Sequence, residues 1–478
     1  MYKIIFEVFM KKTKIVCTIG PACDDKDSLI SLMKAGMNVA RINMSHGSHE
    51  SHQKTINNIK AARNELGLPL ALMLDTKGPE IRLGELPKRG IELAVGDIFT
   101  LTKKQIVGSK RIASVSYPPM IDDVEIGDKI YANNGMLILK VVSKHDDHVD
   151  TKVMFGGKLT THKGINVPGI KIRSEFLSEA DKSDLLFAIE NDADYIAASF
   201  VSNKEDLLEM KDFLNKNGAK NIKIISKIEN GEGVKKIDEI IANSDGIMVA
   251  RGDLGVEIPL EKIPHIQKKI IKACNSEGKI SIVATEMLES MTNSLRPTRA
   301  EVSDVANAIY ECATATMLSG ETAVGINPLR VVKTMAKILV ETEKNIAYNN
   351  KFQRHSYKTL SISDSVASST CKNLVSLGSP ACCVYTETGN TAELISRYRV
   401  KNRIIALTSN PKTFNQLALC WNTTAVLTKT LENEYEMIEN AKSICKTLHL
   451  GKTNDIIVMV VGTPKQTGKT NTIKILNL

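Results

Sequence analysis

Short β-branched or apolar runs, each closed by polar or turn residues and followed by helical periodicity, recur through the first 320 residues. They are Lys14–Thr18, Met37–Asn43, Leu70–Asp75, Tyr195–Phe200, Ile222–Lys227, Gly246–Ala250, Ile280–Thr285 and Ala315–Ser319. Strand alternating with helix is the pattern of a parallel sheet, and eight repeats predict an α/β (β/α)8 TIM barrel. Six of the seven connections have room for one helix and its turns. The stretch from Thr76 to Asp194 is far too long for that, so a further unit is inserted there. Inside it the period shifts to alternating residues with turn signals, as at Ala132-Asn133-Asn134-Gly135 between Lys129–Tyr131 and Met136–Val142, which predicts a small β domain. The barrel resumes after about Arg173, because Leu177-Ser178-Glu179-Ala180-Asp181 reads as a helix start with Ser178 as N-cap.

After Val324-Gly325 a helical stretch runs to about Tyr348, and the polar segment Asn349 to Tyr357 reads as a linker. Beyond it the runs Ala381–Tyr385, Arg403–Thr408, Ala425–Thr428, Asp455–Val461 and Thr472–Ile475 alternate with helices for most of their length, predicting a C-terminal doubly wound α/β domain. The division is therefore a barrel over residues 1–77 and 174–348, an inserted β domain over 78–173 and the C-terminal domain over 349–478.

Composition narrows the function. With 478 residues, 42% apolar and 24% charged, the chain is globular rather than disordered or fibrous. Its +9 charge comes without any Lys/Arg run interleaved with aromatics, and aromatics are only 4%, so nucleic acid is excluded as a partner and small anions are favoured. The best apolar stretch, Ile456 to Gly462, is strand-sized, so no membrane span is expected. The N-terminal segment carries an acidic residue in its apolar patch and no cleavage site, so the expected location is cytoplasmic. Nine cysteines without a C-x-x-C pair are expected to be reduced and mostly buried.

Barrel enzymes build their chemistry at the carboxyl ends of the strands, and here those ends are polar. The second closes Arg41-Ile42-Asn43-Met44-Ser45-His46, the third Asp75-Thr76-Lys77-Gly78-Pro79-Glu80-Ile81-Arg82, the fifth Lys227-Ile228-Glu229-Asn230, the sixth Arg251-Gly252-Asp253, the seventh Thr285-Glu286-Met287 and the eighth Ser319-Gly320-Glu321. Glu229 and Asp253, on neighbouring strands, can share a hard divalent cation; without His or Cys in these motifs, oxygen ligation favours Mg²⁺ or Mn²⁺ over Zn²⁺. Arg41 and Lys227 would face that metal, as a transferring phosphoryl group requires. Any one of these residues is equally at home in a rim salt bridge, and Asn43, Ser45, Asp75 and Thr76 in loop or helix capping; it is the six ends together that point to phosphate chemistry. Gly462-Thr463-Pro464-Lys465-Gln466-Thr467-Gly468-Lys469-Thr470 imitates a Walker A loop but has five residues between its glycines, and too little chain follows for the phosphate-binding helix.

In order along the chain, KIVCTIGPA, NVARINMSHG, LDTKGPEIR, ISKIENGEG, GIMVARGDLGVEIP, EMLESM, RPTRAEVSDVANAI and MLSGETAVG closely resemble the motifs of the pyruvate kinase family, and the match spans nearly the whole chain. The resemblance implies phosphoryl transfer from phosphoenolpyruvate to ADP, giving pyruvate and ATP in glycolysis. It implies a barrel carrying an inserted β-barrel lid domain and a C-terminal effector domain. Arg41 would contact the phosphate, Lys227 would serve as the transition-state lysine, and Glu229 and Asp253 would hold Mg²⁺ or Mn²⁺. Gly252 and Asp253 would offer N–H groups to the substrate carboxylate, Thr285 would lie beside the substrate, and Ser319 would support the proton relay. Asn43, Ser45, Asp75 and Thr76 match K⁺ ligands, and Glu80 the position where glutamate accompanies K⁺ dependence. His46, Arg82 and Lys163 resemble nucleotide contacts, Lys163 riding on the lid. Thr386, Thr388, Gly389, Asn390 and Thr391 resemble the loop that binds a phosphorylated effector, with the Gly462 to Asn471 stretch near it. The family is usually tetrameric, so a homotetramer is implied.

Glu286 stands where glutamine is usual in the family, Thr314 where aspartate is, and Val400 where proline often follows the arginine. Met10 is a second expected start. No further phosphotransfer domain is expected after the effector domain. Two rival readings remain at this point: another metal-dependent barrel acting on pyruvate or phosphoenolpyruvate, against which the insertion argues, and a catalytically silent metabolite sensor working through the C-terminal loop.

Overall fold

A computed structural model describes residues 11–169, 175–348, 361–462 and 470–478. The Arg173 boundary, the 349–357 linker, Met10 and residues 463–469 of the Walker-like stretch lie outside the described residues.

Eight parallel strands, Lys14–Thr18, Val39–Asn43, Ala71–Asp75, Tyr195–Ala198, Lys223–Ile228, Gly246–Ala250, Ile280–Ala284 and Ala315–Leu318, close into a barrel in sequential order. Nearly every strand residue is buried, because helices cover the outer face and side chains fill the interior. The interior layer of Val16, Met73, Tyr195, Met248 and Ile282 continues into Ala418 and Leu419 of the C-terminal domain. The Tyr195 hydroxyl donates to the Gln416 carbonyl at 2.8 Å, so that domain plugs the amino-terminal end of the barrel and the carboxyl end is left for chemistry. Ser178 caps the helix Glu179–Glu190 in a capping box with Asp181, as its position in sequence predicts.

The segment between the third and fourth barrel strands forms a seven-stranded sheet over Ile81–Asn166 and a two-stranded ribbon. The edge strands of the larger sheet, Ile81–Arg82 and Ile112–Ser114, meet through a Leu83–Val115 bridge, flanked by the Ser116 N–H to the Arg82 carbonyl at 2.8 Å. The sheet thus curls on itself around Phe99, Ile130, Leu139 and Val153, each fully buried. At its Asn-Asn-Gly turn, Asn133, Asn134 and Gly135 all take positive φ, the conformation those residue types tolerate.

The C-terminal sheet runs Thr423–Leu427, Arg403–Thr408, Ala381–Tyr385, Ile456–Gly462 and Thr470–Asn477. The first four are parallel with helices between them, but the last pairs antiparallel with Ile456–Gly462. This edge hairpin is a departure from a purely alternating fold, and it explains why no helix follows the Walker-like stretch: Thr470 opens a strand. All nine cysteines are free and eight are buried. No described helix is long and apolar enough to cross a membrane.

Candidate active site

The second, third and fifth barrel strands bring Arg41, Asp75 and Lys227 together at the carboxyl-terminal mouth. Register fixes this: Thr18 pairs with Arg41 and Asn43 with Asp75 on adjacent strands. Arg41 Nε donates to Asp75 Oδ2 at 2.6 Å and Nη1 to the Thr18 hydroxyl at 2.7 Å. Lys227 Nζ lies 3.0 Å from Asp75 Oδ1, 2.7 Å from Ser199 Oγ and 2.9 Å from Glu229 Oε1. The second Glu229 oxygen accepts the Phe200 N–H at 2.6 Å. All four charged groups are buried, with Asp75 fully so and Glu229 1% exposed, which makes their mutual pairing obligatory.

Burial by itself would lower the Lys227 ammonium, but Asp75 and then Glu229 reverse this and hold it above its ordinary value. Burial would raise Asp75, and Arg41 with Lys227 overcome it to keep the carboxyl low. Glu229 is the exception. Burial pushes its carboxyl up, Lys227 only partly opposes this, and the Asp253 carboxylate adds to the rise. Two cations therefore face three carboxylates, and the uncompensated negative charge sits between Glu229 and Asp253. An all-oxygen pair with surplus negative charge is what a hard divalent cation fits, so Mg²⁺ or Mn²⁺ agrees with the donor set.

Asp253 and Gly252 lie in the first turn of the helix Arg251–Glu257, directly after the sixth strand. The Gly252 N–H donates to Thr285 Oγ1 at 2.8 Å, placing the threonine hydroxyl where a carboxylate acceptor would sit. Thr285 and Glu286 both adopt positive φ, +65° and +54°, a conformation that is strained for a β-branched residue. Arg251 holds that turn: Nη2 donates to the Thr285 carbonyl at 2.6 Å, while Nη1 pairs with Asp304 at 2.6 Å. At the eighth strand the Ser319 N–H donates to Glu321 Oε2 at 2.6 Å, and the other Glu321 oxygen accepts from the Leu288 N–H at 3.1 Å. The Ser319 hydroxyl is buried without a hydrogen-bond partner among the described residues, which leaves it able to bond to a molecule in the mouth.

This arrangement has close relatives. The pyruvate kinase barrel model matches residues 10–332, and the pyruvate kinase alpha/beta domain model matches residues 364–476. The chain belongs to the pyruvate kinase family. It is 44% identical over 469 residues to the pyruvate kinase of Geobacillus stearothermophilus, covering 97% of this chain and 80% of that protein. Against the pyruvate kinase of Clostridium acetobutylicum it is 42% identical over 472 residues, covering 98% and 99%. A crystal structure of a pyruvate kinase from Cryptosporidium parvum superposes with a TM-score of 0.93 at 38% identity, covering 98% of this chain and 97% of that one. The chain is thus an enzyme, a phosphotransferase, and neither the rival barrel chemistry nor the silent sensor stands beside these relatives.

The oxygens assigned to K⁺ come from adjacent strands. Asn43 Oδ1 accepts the Ser45 N–H at 3.1 Å, and the Thr76 hydroxyl accepts the Ser199 N–H at 3.2 Å. Glu80 pairs with Arg82 at 2.6 Å, and Arg82 also reaches the His162 carbonyl at 3.1 Å, a contact within the inserted domain beside Lys163. His46 is exposed, and its carbonyl meets His52 Nε2 at 2.7 Å.

In the C-terminal domain Gly389, at φ +85°, donates its N–H to Thr386 Oγ1 at 2.9 Å and opens the helix Asn390–Ser396. Thr388 and Asn390 are exposed, whereas Thr391 Oγ1 is buried against Thr470 Oγ1 at 2.6 Å. The end of the Walker-like stretch therefore meets the effector-like loop. The departures at Thr314 and Val400 are accommodated: Arg399 Nη2 reaches Thr314 Oγ1 at 3.1 Å across the domain boundary, and Val400 is buried.

Sequence reasoning missed Thr18 and Ser199, and placed Arg251 at the sixth strand end without a role. Thr18 ends the first strand and Ser199 directly follows the fourth, so the strand-end rule, applied to all eight strands, finds both. The strand-end rule gives the position of Arg251 but not its task, which depends on a left-handed turn 34 residues away at Thr285.

Proposed function

We propose that the chain catalyses phosphoryl transfer from phosphoenolpyruvate to ADP, giving pyruvate and ATP, with Mg²⁺ or Mn²⁺ and K⁺, and under control of a phosphorylated effector. The observation that carries the reading is the buried Arg41–Asp75–Lys227–Glu229 array at the barrel mouth, with Asp253 beside Glu229. In this reading Glu229 and Asp253 hold the divalent ion, which when bound neutralises phosphoryl oxygens and orients the substrate.

The protein's own groups do the rest. Arg41 Nη2, the guanidinium nitrogen that neither Asp75 nor Thr18 takes, contacts the substrate phosphate. Lys227, held cationic by its carboxylates, lies against the moving phosphoryl group and then the enolate oxygen that its departure creates, where fixed charge is worth most. The Gly252 and Asp253 N–H groups bind the substrate carboxylate, the first exchanging its bond to Thr285 for one to substrate. With the enolate formed, a proton reaches its methylene carbon from the Thr285 and Ser319 side, which agrees with the unpartnered Ser319 hydroxyl. His46, Arg82 and Lys163 serve the nucleotide, and closure of the inserted domain excludes water so that transfer to ADP outcompetes hydrolysis.

Asn43, Ser45, Asp75 and Thr76 supply oxygens to K⁺, adding positive charge next to the phosphate. Thr386, Thr388, Gly389, Asn390 and Thr391 would take the phosphate of the effector, and a homotetramer would transmit its binding. Purified protein given phosphoenolpyruvate, ADP, Mg²⁺ and K⁺ should form ATP, faster with K⁺ than with Na⁺; absence of turnover, with and without sugar phosphates, refutes the reading.

A further inference from the structure

One side-chain group on the inserted domain has no part in phosphoryl transfer. Strands Leu137–Lys144 and His148–Phe155 are joined by a tight hairpin, in which the His145 N–H donates to the His148 carbonyl at 2.9 Å across the loop Asp146-Asp147. Ser143 pairs with Asp150 across the hairpin, and Thr100 of the next strand pairs with Asp150 on its other side. Side chains alternate faces with period two, so His145, His148, Asp150, Ser143 and Thr100 all project from one face.

On that face the two imidazoles stack, with centroids 4.3 Å apart and planes 14° from parallel. His145 Nε2 lies 3.6 Å from Asp150 Oδ2, and one nitrogen of each ring and one Asp150 oxygen fall within 4.8 Å of one another. Among the described residues this is the one set of three or more His, Cys, Asp or Glu donors that converges in this way. The neighbours hold the donors in place. The Thr100 hydroxyl donates to Asp150 Oδ1 at 2.6 Å and the Ser143 hydroxyl to Oδ2 at 2.8 Å. Asp147 Oδ1 lies 2.6 Å from His148 Nδ1, and a carboxylate on one ring nitrogen fixes the tautomer and raises the basicity of the other, the usual support of a ligating histidine.

We propose that this hairpin face binds a borderline divalent transition-metal ion of the Zn²⁺, Ni²⁺ or Cu²⁺ class through His145, His148 and Asp150, with water completing the coordination. Two imidazoles select such an ion over Mg²⁺ or Ca²⁺, which prefer all-oxygen sites. Zn–N bonds of about 2.0 to 2.1 Å need the donors to close to roughly 3.3 Å from one another in a tetrahedral shell. That is a shift of about 1.5 Å at most, within reach of ring rotation for the half-exposed His145. Lys104 is the nearby opposing charge, and Asp147 Oδ2 neutralises it at 2.6 Å.

The test is isothermal titration of zinc chloride into tag-free, full-length protein in millimolar Mg²⁺, which occupies the barrel-mouth carboxylates. The wild type should bind one more zinc per chain than the His145→Gln/His148→Gln double variant, and Asp147→Asn should weaken that site about 10-fold. The double variant should keep wild-type circular dichroism and ATP-forming activity. Equal zinc stoichiometry in wild type and double variant overturns the proposal. Independently of any variant, Cu²⁺ bound to the wild type at one equivalent should show nitrogen superhyperfine splitting in its electron paramagnetic resonance spectrum, and an all-oxygen spectrum would contradict the assignment.

Discussion

Replacing Lys227 with methionine removes one charge while keeping most of the stem volume. The ammonium contacts two carboxylates and one hydroxyl at 2.7 to 3.0 Å in a site only 8% exposed. At about 3 Å and an effective dielectric near 20, one such charge pair is worth about 5 kcal/mol. If half of that attraction is gained only as charge develops on the phosphoryl group and enolate oxygen, the barrier rises by about 2.5 kcal/mol, close to 100-fold in kcat. That agrees with the loss found on removing a single oxyanion donor, about 100- to 1000-fold. The variant also leaves Glu229 buried with no cation except a bound metal, and breaking a buried pair costs about 3 to 5 kcal/mol of stability. A lowered melting temperature, partly restored by Mg²⁺, should therefore accompany the kinetic loss. The assay is kcat at saturating phosphoenolpyruvate, ADP, Mg²⁺ and K⁺, with folding checked by circular dichroism. Lys227→Arg should recover only part of the rate, since a planar fork cannot reproduce three contacts around one nitrogen. A folded Lys227→Met enzyme within about fivefold of wild-type kcat refutes this reasoning, because it leaves less than about 1 kcal/mol to the charge.

Three further outcomes are expected. Ser199→Ala removes the hydroxyl that joins Lys227, Asp75 and the Thr76 carbonyl, and should lower kcat several-fold with little change in KM for ADP; an unchanged kcat would exclude Ser199 from positioning the lysine. Burial pushes the Asp194 carboxyl up to about 6 against the pull of Lys412, so between about pH 4 and 6 the folded chain holds a proton that the unfolded chain has released, and stability falls as pH rises through that window. Wild-type melting temperature relative to Asp194→Asn should therefore drop from pH 4.5 to pH 7, and parallel curves would contradict the shift. Titrating activity with fructose bisphosphate, ribose phosphate and AMP should turn a sigmoidal phosphoenolpyruvate curve hyperbolic for one of them; Thr388→Glu, which sets a carboxylate in the loop, should abolish that response while leaving basal activity intact.

Much of the fold was legible because a parallel barrel strand is buried on both faces. Runs such as 246–250 and 71–74 stand out as unbroken apolar stretches that stop abruptly at Arg251 and Asp75. The same abruptness exposed Arg41, Asp75, Lys227 and Glu229, each ordinary as a rim ion pair but together, at the strand ends, pointing to phosphate chemistry. Thr18 and Ser199 escaped because the first and fourth strands end without a charged residue, although the strand-end rule that found Ser45 and Thr76 reaches them too. The role of Arg251 escaped because its acceptors are carbonyls in a turn whose positive φ at Thr285 and Glu286 no residue type announces. The antiparallel edge of the C-terminal sheet escaped for a related reason: strand direction depends on the connecting chain, and the residues before Thr470 resemble a phosphate loop more than a hairpin.

The central claim is geometric, that one divalent ion between Glu229 and Asp253 and one phosphoryl donor between Arg41 and Lys227 share the barrel mouth. A crystal structure with Mn²⁺ and phosphoenolpyruvate, phased to locate manganese by anomalous scattering, measures this directly. The account predicts a manganese peak bonded to both carboxylates, with phosphate oxygens within hydrogen-bond distance of Arg41 and Lys227. Manganese bound elsewhere, or the phosphate seated away from both cations, would contradict it.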